Sequence, residues 1–277
     1  MTGARERARL VDELQRLERV VVAFSGGADS SFLAKVAHDT LGAERVLCAT
    51  AISPSLAPDE ELDCRRLAEE WGLRWVAVPT DEMDDPAYVA NGADRCAHCK
   101  TALMGALGPL ARTEGATVVL GVNVDDLGDH RPGQGAAAAL GAQFPLVSSG
   151  FTKALLRECS RQMGLRTWDK PAGACLASRI PYGTPVQLGT LRSVAEAEAA
   201  LRALGFAQLR VRHHGVVARI EVEPAQMDAA LAARRQITAA VRAAGYQFAA
   251  LDLEGFRSGS LNRVLDPPVP AAGPESS

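Results

Sequence analysis

Lysine is scarce in this chain: of 30 basic residues only Lys35, Lys100, Lys153 and Lys170 are lysines, and 26 are Arg. With the heavy use of Ala, that reads as GC-rich coding rather than as function. Charge of either sign is not in excess. The formal net charge is -3, so nothing global draws the chain to nucleic acid or to an anionic membrane. No apolar run approaches the ~20 residues that a spanning helix needs. Residues 1–19 lack the apolar segment of a signal peptide and instead alternate charge with Leu10, Leu14 and Leu17, the pattern of an amphipathic helix. The expected setting is therefore cytoplasmic. There Cys48, Cys64, Cys96, Cys99, Cys159 and Cys175 are reduced thiols or ligands rather than a disulfide framework. No internal repeat is visible. What is present is ordinary for a globular protein: 47% hydrophobic and 23% charged residues. A length of 277 residues suffices for a real core and for more than one domain.

Through the first 165 or so residues, short apolar runs alternate with helix-like segments. Strands are expected at 19–24, 45–51, 74–78 and 117–122, and helices at 30–41, 59–71, 101–113 and 152–163, with Thr152 as an N-cap and Gly164 as a C-cap. Strands this apolar, alternating with helices, belong to a parallel sheet covered on both faces. After Trp168 the rhythm changes. Residues 169–186 are rich in Gly, Pro and Ala and form a shaped loop. A helix (188–204), a hairpin of two strands (208–213 and 216–222, turning at Gly215), a helix (225–244) and a strand (247–253) follow. The expected organisation is a doubly wound α/β domain over 1–168, a smaller α+β domain over 169–265, and a disordered Pro-, Ala- and Ser-rich tail over 266–277.

The most informative string is VVVAFSGGADSSFLAKVA, which begins at Val20. A buried strand runs into Ser25-Gly26-Gly27-Ala28-Asp29-Ser30-Ser31, and a helix follows at once. Two glycines let the backbone approach an anion closely, and the helix start behind them presents free N–H groups and a positive dipole end. Ser25, Ser30 and Ser31 add hydroxyl donors, and Asp29 is placed to hold Mg²⁺ beside phosphates. The loop is no Walker A motif, because the lysine that would reach the terminal phosphates is missing from it. A tight turn with a capped helix is the plain alternative, and any single piece would fit it; the whole string after a strand favours phosphate. A second candidate is Gly121-Val122-Asn123-Val124-Asp125-Asp126 at the end of another strand, since ligands sit at the carboxyl ends of strands in such sheets. Asn123, Asp125 and Asp126 would contact ribose or metal there, with a solvated turn as the alternative.

The string resembles the PP-loop (N-type ATP pyrophosphatase, adenine nucleotide alpha hydrolase-like) superfamily, whose members cleave ATP to AMP and pyrophosphate. That resemblance implies a phosphate site in the loop and an adenine pocket lined by the end of the second strand, residues 49–53 with Ala51. Four further segments, LGDHRPG (127–133), TWDKPAGACLASRIPYGTPV (167–186), LRVRHHGVVARIEV (209–222) and LDLEGFRSGSLN (251–262), resemble the LarE family of ATP-dependent sulfur transferases over nearly the whole chain. Gly173 and His130 stand where that family leads one to expect Ser and Tyr, and Gly173 is expected to loosen the Cys175 loop. The resemblance implies that ATP adenylates a carboxylate of pyridinium-3,5-biscarboxylic acid mononucleotide, after which sulfur replaces AMP. The product is a thiocarboxylate precursor of the nickel-pincer nucleotide, and the enzyme a homo-oligomer. The chemistry is sound, because a carboxylate resists nucleophiles and an acyl-adenylate supplies a good leaving group.

Cys175 matches the family's sulfur-bearing position, which implies one of two routes. In one, Cys175 donates its own sulfur and becomes dehydroalanine. In the other, it joins Cys96 and Cys99 of the Cys96-Ala97-His98-Cys99 motif on a 4Fe-4S cluster, which three thiolates would leave with one open iron. The residues alone also allow a CxxC that merely packs at a helix start, or zinc, although zinc wants four ligands and His98 is cramped. Cys48, Cys64 and Cys159 are expected in the core. Arg210 and Arg212 alternate on one strand and share a face, matching the family's site for the substrate phosphate, with surface charge as the alternative. Glu198 and Glu221 match metal- or substrate-contacting carboxylates, and Arg179 is implied to steady the activated carboxylate. His213 and His214 are expected to meet solvent at a strand end.

Two competing functions are weighed against this. A PP-loop tRNA thiolase needs a long basic face, whereas residues 186–265 carry ten Arg and no Lys against seven acidic residues. A second CxxC pair is also missing. A nucleotide sensor without catalysis would keep the loop but release no pyrophosphate on meeting a carboxylate substrate.

Overall fold

The structure is a computed structural model that describes residues 3–128, 132–171 and 173–257. The expected tail over 266–277, His130 and the end of the 251–262 segment lie outside the described residues. The chain divides into two compact units, Met1–Leu176 and Ala177–Ser277.

The first unit runs α1 (Ala4–Leu17), β1 (Val20–Ala23), α2 (Ala28–Leu41), β2 (Val46–Ile52), α3 (Pro58–Trp71), β3 (Trp75–Pro79), α4 (Pro86–Val89), α5 (Arg95–Glu114), β4 (Thr117–Leu120), α6 (Pro132–Ala139), α7 (Pro145–Ser148) and α8 (Lys153–Gln162). Its four strands form one parallel sheet in the order β3-β2-β1-β4, with Val20 opposite both Val46 and Thr117. Successive strand residues point to opposite faces. Val20, Val22, Val46, Cys48 and Val119 join a core with side chains of α1, α2, α3 and α8, while Val21, Leu47, Ala49, Val118 and Leu120 join a second core with α5 and α6. Burial on both faces is why each strand reads as an unbroken apolar run. Leu10 and Leu14 of α1 are buried, as its charge pattern predicts, and Cys48, Cys64 and Cys159 sit in the first core. The strand order reverses between β1 and β4, so the crevice at their carboxyl ends is the natural ligand position.

Three boundaries differ from the sequence reading. Helix α5 begins at Arg95, so Cys96 and Cys99 lie on its first turn. Strand β4 ends at Leu120 because Gly121 comes up against the start of α2. The first unit also extends to Leu176. Residues after Trp168 are held to it by Lys170 Nζ, which meets Glu60 and Asp63 of α3 at 2.7 and 2.8 Å, and by the Leu176 N–H, which donates to the Ser55 carbonyl at 2.8 Å.

The second unit runs α9 (Leu188–Ala203), β5 (Leu209–His214), β6 (Val217–Val222), α10 (Met227–Ala232), α11 (Arg234–Ala243) and β7 (Phe248–Leu251). β5 and β6 form the expected hairpin, and β7 adds to β6 in parallel. Leu201, Val211, Ile220, Ile237 and Val241 pack between the sheet and its helices. The single helix expected over 225–244 is instead a short 3-10 turn followed by two helices. They part at Ala233, whose φ of -83° and ψ of 7° leave the helical region. Among the described residues, no helix is long and apolar enough to cross a membrane.

Candidate functional site

Strand β1 delivers the chain to Ser25 at the carboxyl edge of the sheet, where it turns sharply. Gly26 takes φ +65°, a left-handed conformation open to glycine at little cost, and a side chain there would begin 3.0 Å from the Cys64 sulfur. Helix α2 starts after Gly27 without a side-chain cap, so its first N–H groups remain for a ligand. The hydroxyls order the turn: Ser30 Oγ accepts from the Ser25 N–H at 3.2 Å, donates toward the Gly27 carbonyl at 3.3 Å and lies 3.1 Å from Ser25 Oγ. The Ser31 hydroxyl is buried with no protein partner. Behind the loop, Thr50 Oγ1 donates to the Phe24 carbonyl at 2.7 Å and accepts from the Trp75 indole at 2.8 Å. Ala51 stands half-buried beside Thr50 at the end of β2.

The second candidate loop meets the first. Gly121 lies so close to α2 that a Cβ would fall 2.7 Å from the Ser30 nitrogen. Asn123, buried, donates from Nδ2 to Asp29 Oδ1 at 3.4 Å. Asp126 Oδ2 accepts from the Asn123 N–H at 3.0 Å, and Asp125 Oδ2 accepts from the Lys153 N–H at 2.8 Å. Part of both carboxylates' capacity thus goes into holding the loop and the start of α8, where Thr152 supplies the expected N-cap by accepting from the Leu155 N–H.

Sequence reasoning missed Lys153. Its ammonium is 2.5 Å from Asp29 Oδ2, although the two residues are 124 positions apart. The loop that lacks its own lysine therefore has one from α8. The available signal was weak: one of four lysines, placed directly after a helix cap.

Cys96 is exposed and Cys99 half-buried on the first turn of α5, and Cys175 is half-buried ahead of Leu176. Burial pushes the Cys99 thiol up to about 12 against the help of Lys100; the nearby Cys175, Glu82 and Cys96 add to the rise. Cys96 and Cys175 each lie close enough to Cys99 to act on it electrostatically, yet among the described residues no three Cys, His, Asp or Glu side chains converge to hold a metal ion. His98 is turned away from ligation: Nδ1 is 2.8 Å from Asp85 and Nε2 is 3.4 Å from Asp94. A Cβ on Gly173 would stand 3.3 Å from Glu60, which itself holds Lys170.

In the second unit, Arg179 and Glu198 are buried together in a bidentate pair of 2.9 and 3.1 Å. Glu198 also accepts from Arg202 at 2.9 Å and from the Val211 N–H at 3.0 Å. Burial alone would raise the Glu198 carboxyl; these partners, Arg179 foremost, hold it below the usual carboxylate range. Arg212 donates to Glu221 at 2.8 Å and to the Ser178 carbonyl at 2.9 Å, and Arg219 meets Glu221 at 3.1 Å. Both glutamates are therefore occupied by guanidinium groups. Arg210 stacks 5.0 Å over Phe256. Burial first, with the like charges of Arg179, Arg212 and Arg202 adding to it and Glu198 partly compensating, lowers its guanidinium to about 10. His213 Nδ1 lies 3.3 Å from the Tyr246 hydroxyl, while His214 is exposed at the strand end.

A family model described as NAD synthase matches residues 8–96, the span from α1 through the nucleotide loop to the start of α5. An uncharacterized protein of Synechocystis sp. is 43% identical over 255 residues, 90% of this chain and 94% of its own. An uncharacterized protein of Methanocaldococcus jannaschii is 23% identical over 242 residues. Pyridinium-3,5-bisthiocarboxylic acid mononucleotide synthase of Lactiplantibacillus plantarum is 37% identical over 266 residues, covering 95% of this chain and 96% of that enzyme. A likeness of that depth runs through both units, and with the Ser-Gly-Gly loop at the sheet's reversal point it establishes that the chain belongs to the LarE family of PP-loop, ATP-dependent sulfurtransferases.

Proposed function

We propose that the protein adenylates pyridinium-3,5-biscarboxylic acid mononucleotide and converts its carboxylates to thiocarboxylates. The observation that carries this reading is the meeting of Asp29, Asn123 and Lys153 over the uncapped start of α2, in a chain related end to end to a synthase of the bisthiocarboxylic product. A carboxylate oxygen of the substrate attacks the α-phosphorus of ATP, and the bond to pyrophosphate breaks. Loop N–H groups, the Ser25, Ser30 and Ser31 hydroxyls and Lys153 bind the phosphates, and Asp29 would hold Mg²⁺, which supplies positive charge where negative charge develops. A sulfur nucleophile then attacks the acyl carbon, and the bond to AMP breaks, so one carboxylate oxygen leaves with AMP. Asn123, Asp125 and Asp126 serve the nucleotide side with Ala51 at the adenine.

Arg210 and Arg212 bind the substrate's phosphate. Support comes from the local charge balance: Arg179, Arg202, Arg210, Arg212 and Arg219 gather around Glu198, Glu221 and Asp252, an excess of positive charge that a phosphate would relieve. Glu198 and Glu221 hold those guanidinium groups in place and Arg179 steadies the reacting carboxylate.

For the sulfur source, the neighbouring thiols of Cys96, Cys99 and Cys175 suit a 4Fe-4S cluster better than a single ion. A cubane spans the gaps between its thiolates with its own iron and sulfide atoms. Bound there on three protein thiolates, such a cluster would supply one open iron able to carry hydrosulfide. The other route is sacrificial donation by Cys175. Two measurements decide: iron per chain in anaerobically purified wild type and in each Cys→Ala variant, and the mass of the wild type after turnover. The expected result is iron in the wild type, its loss in Cys96→Ala, Cys99→Ala and Cys175→Ala, and an unchanged protein mass. Full activity in Cys96→Ala and Cys99→Ala, with loss of the elements of H₂S at Cys175, would make the protein a single-turnover donor instead.

A further inference from the structure

Next to the thiols lies a polar group that the reaction as described does not use. Tyr88, on α4, is 1% exposed, and its hydroxyl is buried with no hydrogen-bond partner. Burying a hydroxyl without a partner is costly, so such a group calls for an explanation. Its surroundings supply one. The Ser55 hydroxyl lies near the phenol, and Cys175, Cys99 and Glu82 lie close enough to act on it electrostatically. No contact of hydrogen-bond geometry joins the phenol to Ser55, whose own hydroxyl proton goes to the buried Glu82 carboxylate at 3.1 Å. Ser53 Oγ, 2.8 Å from Ser55 Oγ, closes that side of the network. The phenol O–H is thus buried without a hydrogen-bond partner in the neighbourhood of Cys99 and Cys175.

The scaffold around it is fixed from both directions. The Ser55 carbonyl accepts from the Leu176 N–H at 2.8 Å, which pins the residue directly after Cys175. Asp85 caps α4 by accepting from the Ala87 N–H at 2.9 Å, and the same carboxylate meets His98 of α5 at 2.8 Å, tying the helix of Tyr88 to the helix of Cys99. Asn91, buried with φ +59°, accepts from Arg95 and turns the chain between the two helices.

We propose that the Tyr88 hydroxyl is the hydrogen-bond donor for an anionic sulfur, hydrosulfide or thiolate, at the Cys99–Cys175 pair, with Ser55 and Glu82 as the polar neighbours that position it. This rests on the reading that sulfur passes through these thiols. The donor would hold the sulfur in place as it attacks the acyl carbon and would not take part in adenylation.

The test uses full-length protein carrying fluorotyrosine at its three tyrosines, with the Tyr88 resonance assigned by Tyr88→Phe. In one arm sodium sulfide is added without ATP or pyridinium substrate; in the other, ATP and substrate are added without sulfide. The Tyr88 line is expected to move while the Tyr182 and Tyr246 lines stay. Movement in the sulfide arm assigns hydrosulfide, and movement only in the other arm assigns the Cys175 thiolate. In parallel, Tyr88→Phe is expected to slow sulfur transfer by about tenfold to a hundredfold, the span of one hydrogen bond to a charged group, with pyrophosphate release unchanged. A Tyr88 line that stays still in both arms, or wild-type sulfur transfer by Tyr88→Phe, overturns the proposal. The sulfide arm needs no turnover, so it reports even if the substrate assignment fails.

Discussion

The two units meet charge in opposite ways. At the nucleotide loop of the first unit, binding capacity is built from backbone N–H groups, three small hydroxyls and one ion pair, Asp29 with Lys153. In the second unit, capacity is built from whole side chains. Arg179 and Glu198, and Arg212 and Glu221, are buried pairs with hydrogen bonds on nearly every oxygen. The first arrangement depends on close backbone approach, so its weak points are glycines. The second depends on compensation, because a buried guanidinium or carboxylate is tolerable only while its partner stays.

The comparison breaks most visibly at Glu198. Replacing it by Ala takes the bidentate carboxylate from the buried Arg179, and the expected loss is about 3–5 kcal/mol of stability in the second unit, read by hydrogen exchange over β5 and β6. The sign of its pH dependence follows from the depressed folded carboxyl. The contribution is complete above the unfolded carboxyl's value of about 4.3 and is lost as pH falls through the lower folded value. Wild type and Glu198→Gln should therefore differ at neutral pH and converge in acid. A difference that stays constant across that window would show the pair to be irrelevant to folding.

At the loop the corresponding break is Gly121→Ala, whose new Cβ would meet the Ser30 nitrogen at 2.7 Å. The backbone must shift, at a cost of about 1–3 kcal/mol, and equilibrium ATP binding should weaken with it. Unchanged ATP affinity would mean that the approach of β4 to α2 does not shape the site.

A smaller effect sharpens the contrast. Arg210→Ala removes a half-buried guanidinium that stacks over Phe256 and leaves the Arg179–Glu198 and Arg212–Glu221 pairs intact, so the fold should survive. Affinity for the pyridinium mononucleotide should drop by about tenfold or more, as for one charge-assisted hydrogen bond, with ATP affinity unchanged. Calorimetric titration with each ligand separates these, and equal losses for both would contradict the assignment of Arg210 to the substrate's phosphate.

What was legible in the sequence follows the same division. The parallel sheet could be read because strands buried on both faces leave unbroken apolar runs, such as Val20–Ala23 and Val46–Ile52. The nucleotide loop could be read because its chemistry is contiguous. Lys153 could not, since nothing local to α8 records that its side chain reaches a carboxylate on α2. The break at Ala233 was equally silent, because an Ala-rich stretch without Gly or Pro carries no stop signal. Arg210 and Arg212 were visible as alternating charges on a strand. Glu198 and Glu221 read from sequence as candidate ligands of metal or substrate, and only the fold shows Glu198 held by Arg179 and Arg202 and Glu221 by Arg212 and Arg219. Tyr88 and Glu82 gave no signal, because a lone aromatic and one acid among the five between β3 and α5 become notable only when found buried near thiols.

The most direct test of the account is pyrophosphate release. Purified protein is mixed with ATP and Mg²⁺, with and without pyridinium-3,5-biscarboxylic acid mononucleotide, and pyrophosphate and AMP are quantified for wild type and for Asp29→Ala. The account predicts release only when the acid is present, AMP and pyrophosphate in equal amounts, and no release by a folded Asp29→Ala protein. Release that ignores the acid, or that persists at the wild-type rate in Asp29→Ala, would contradict it.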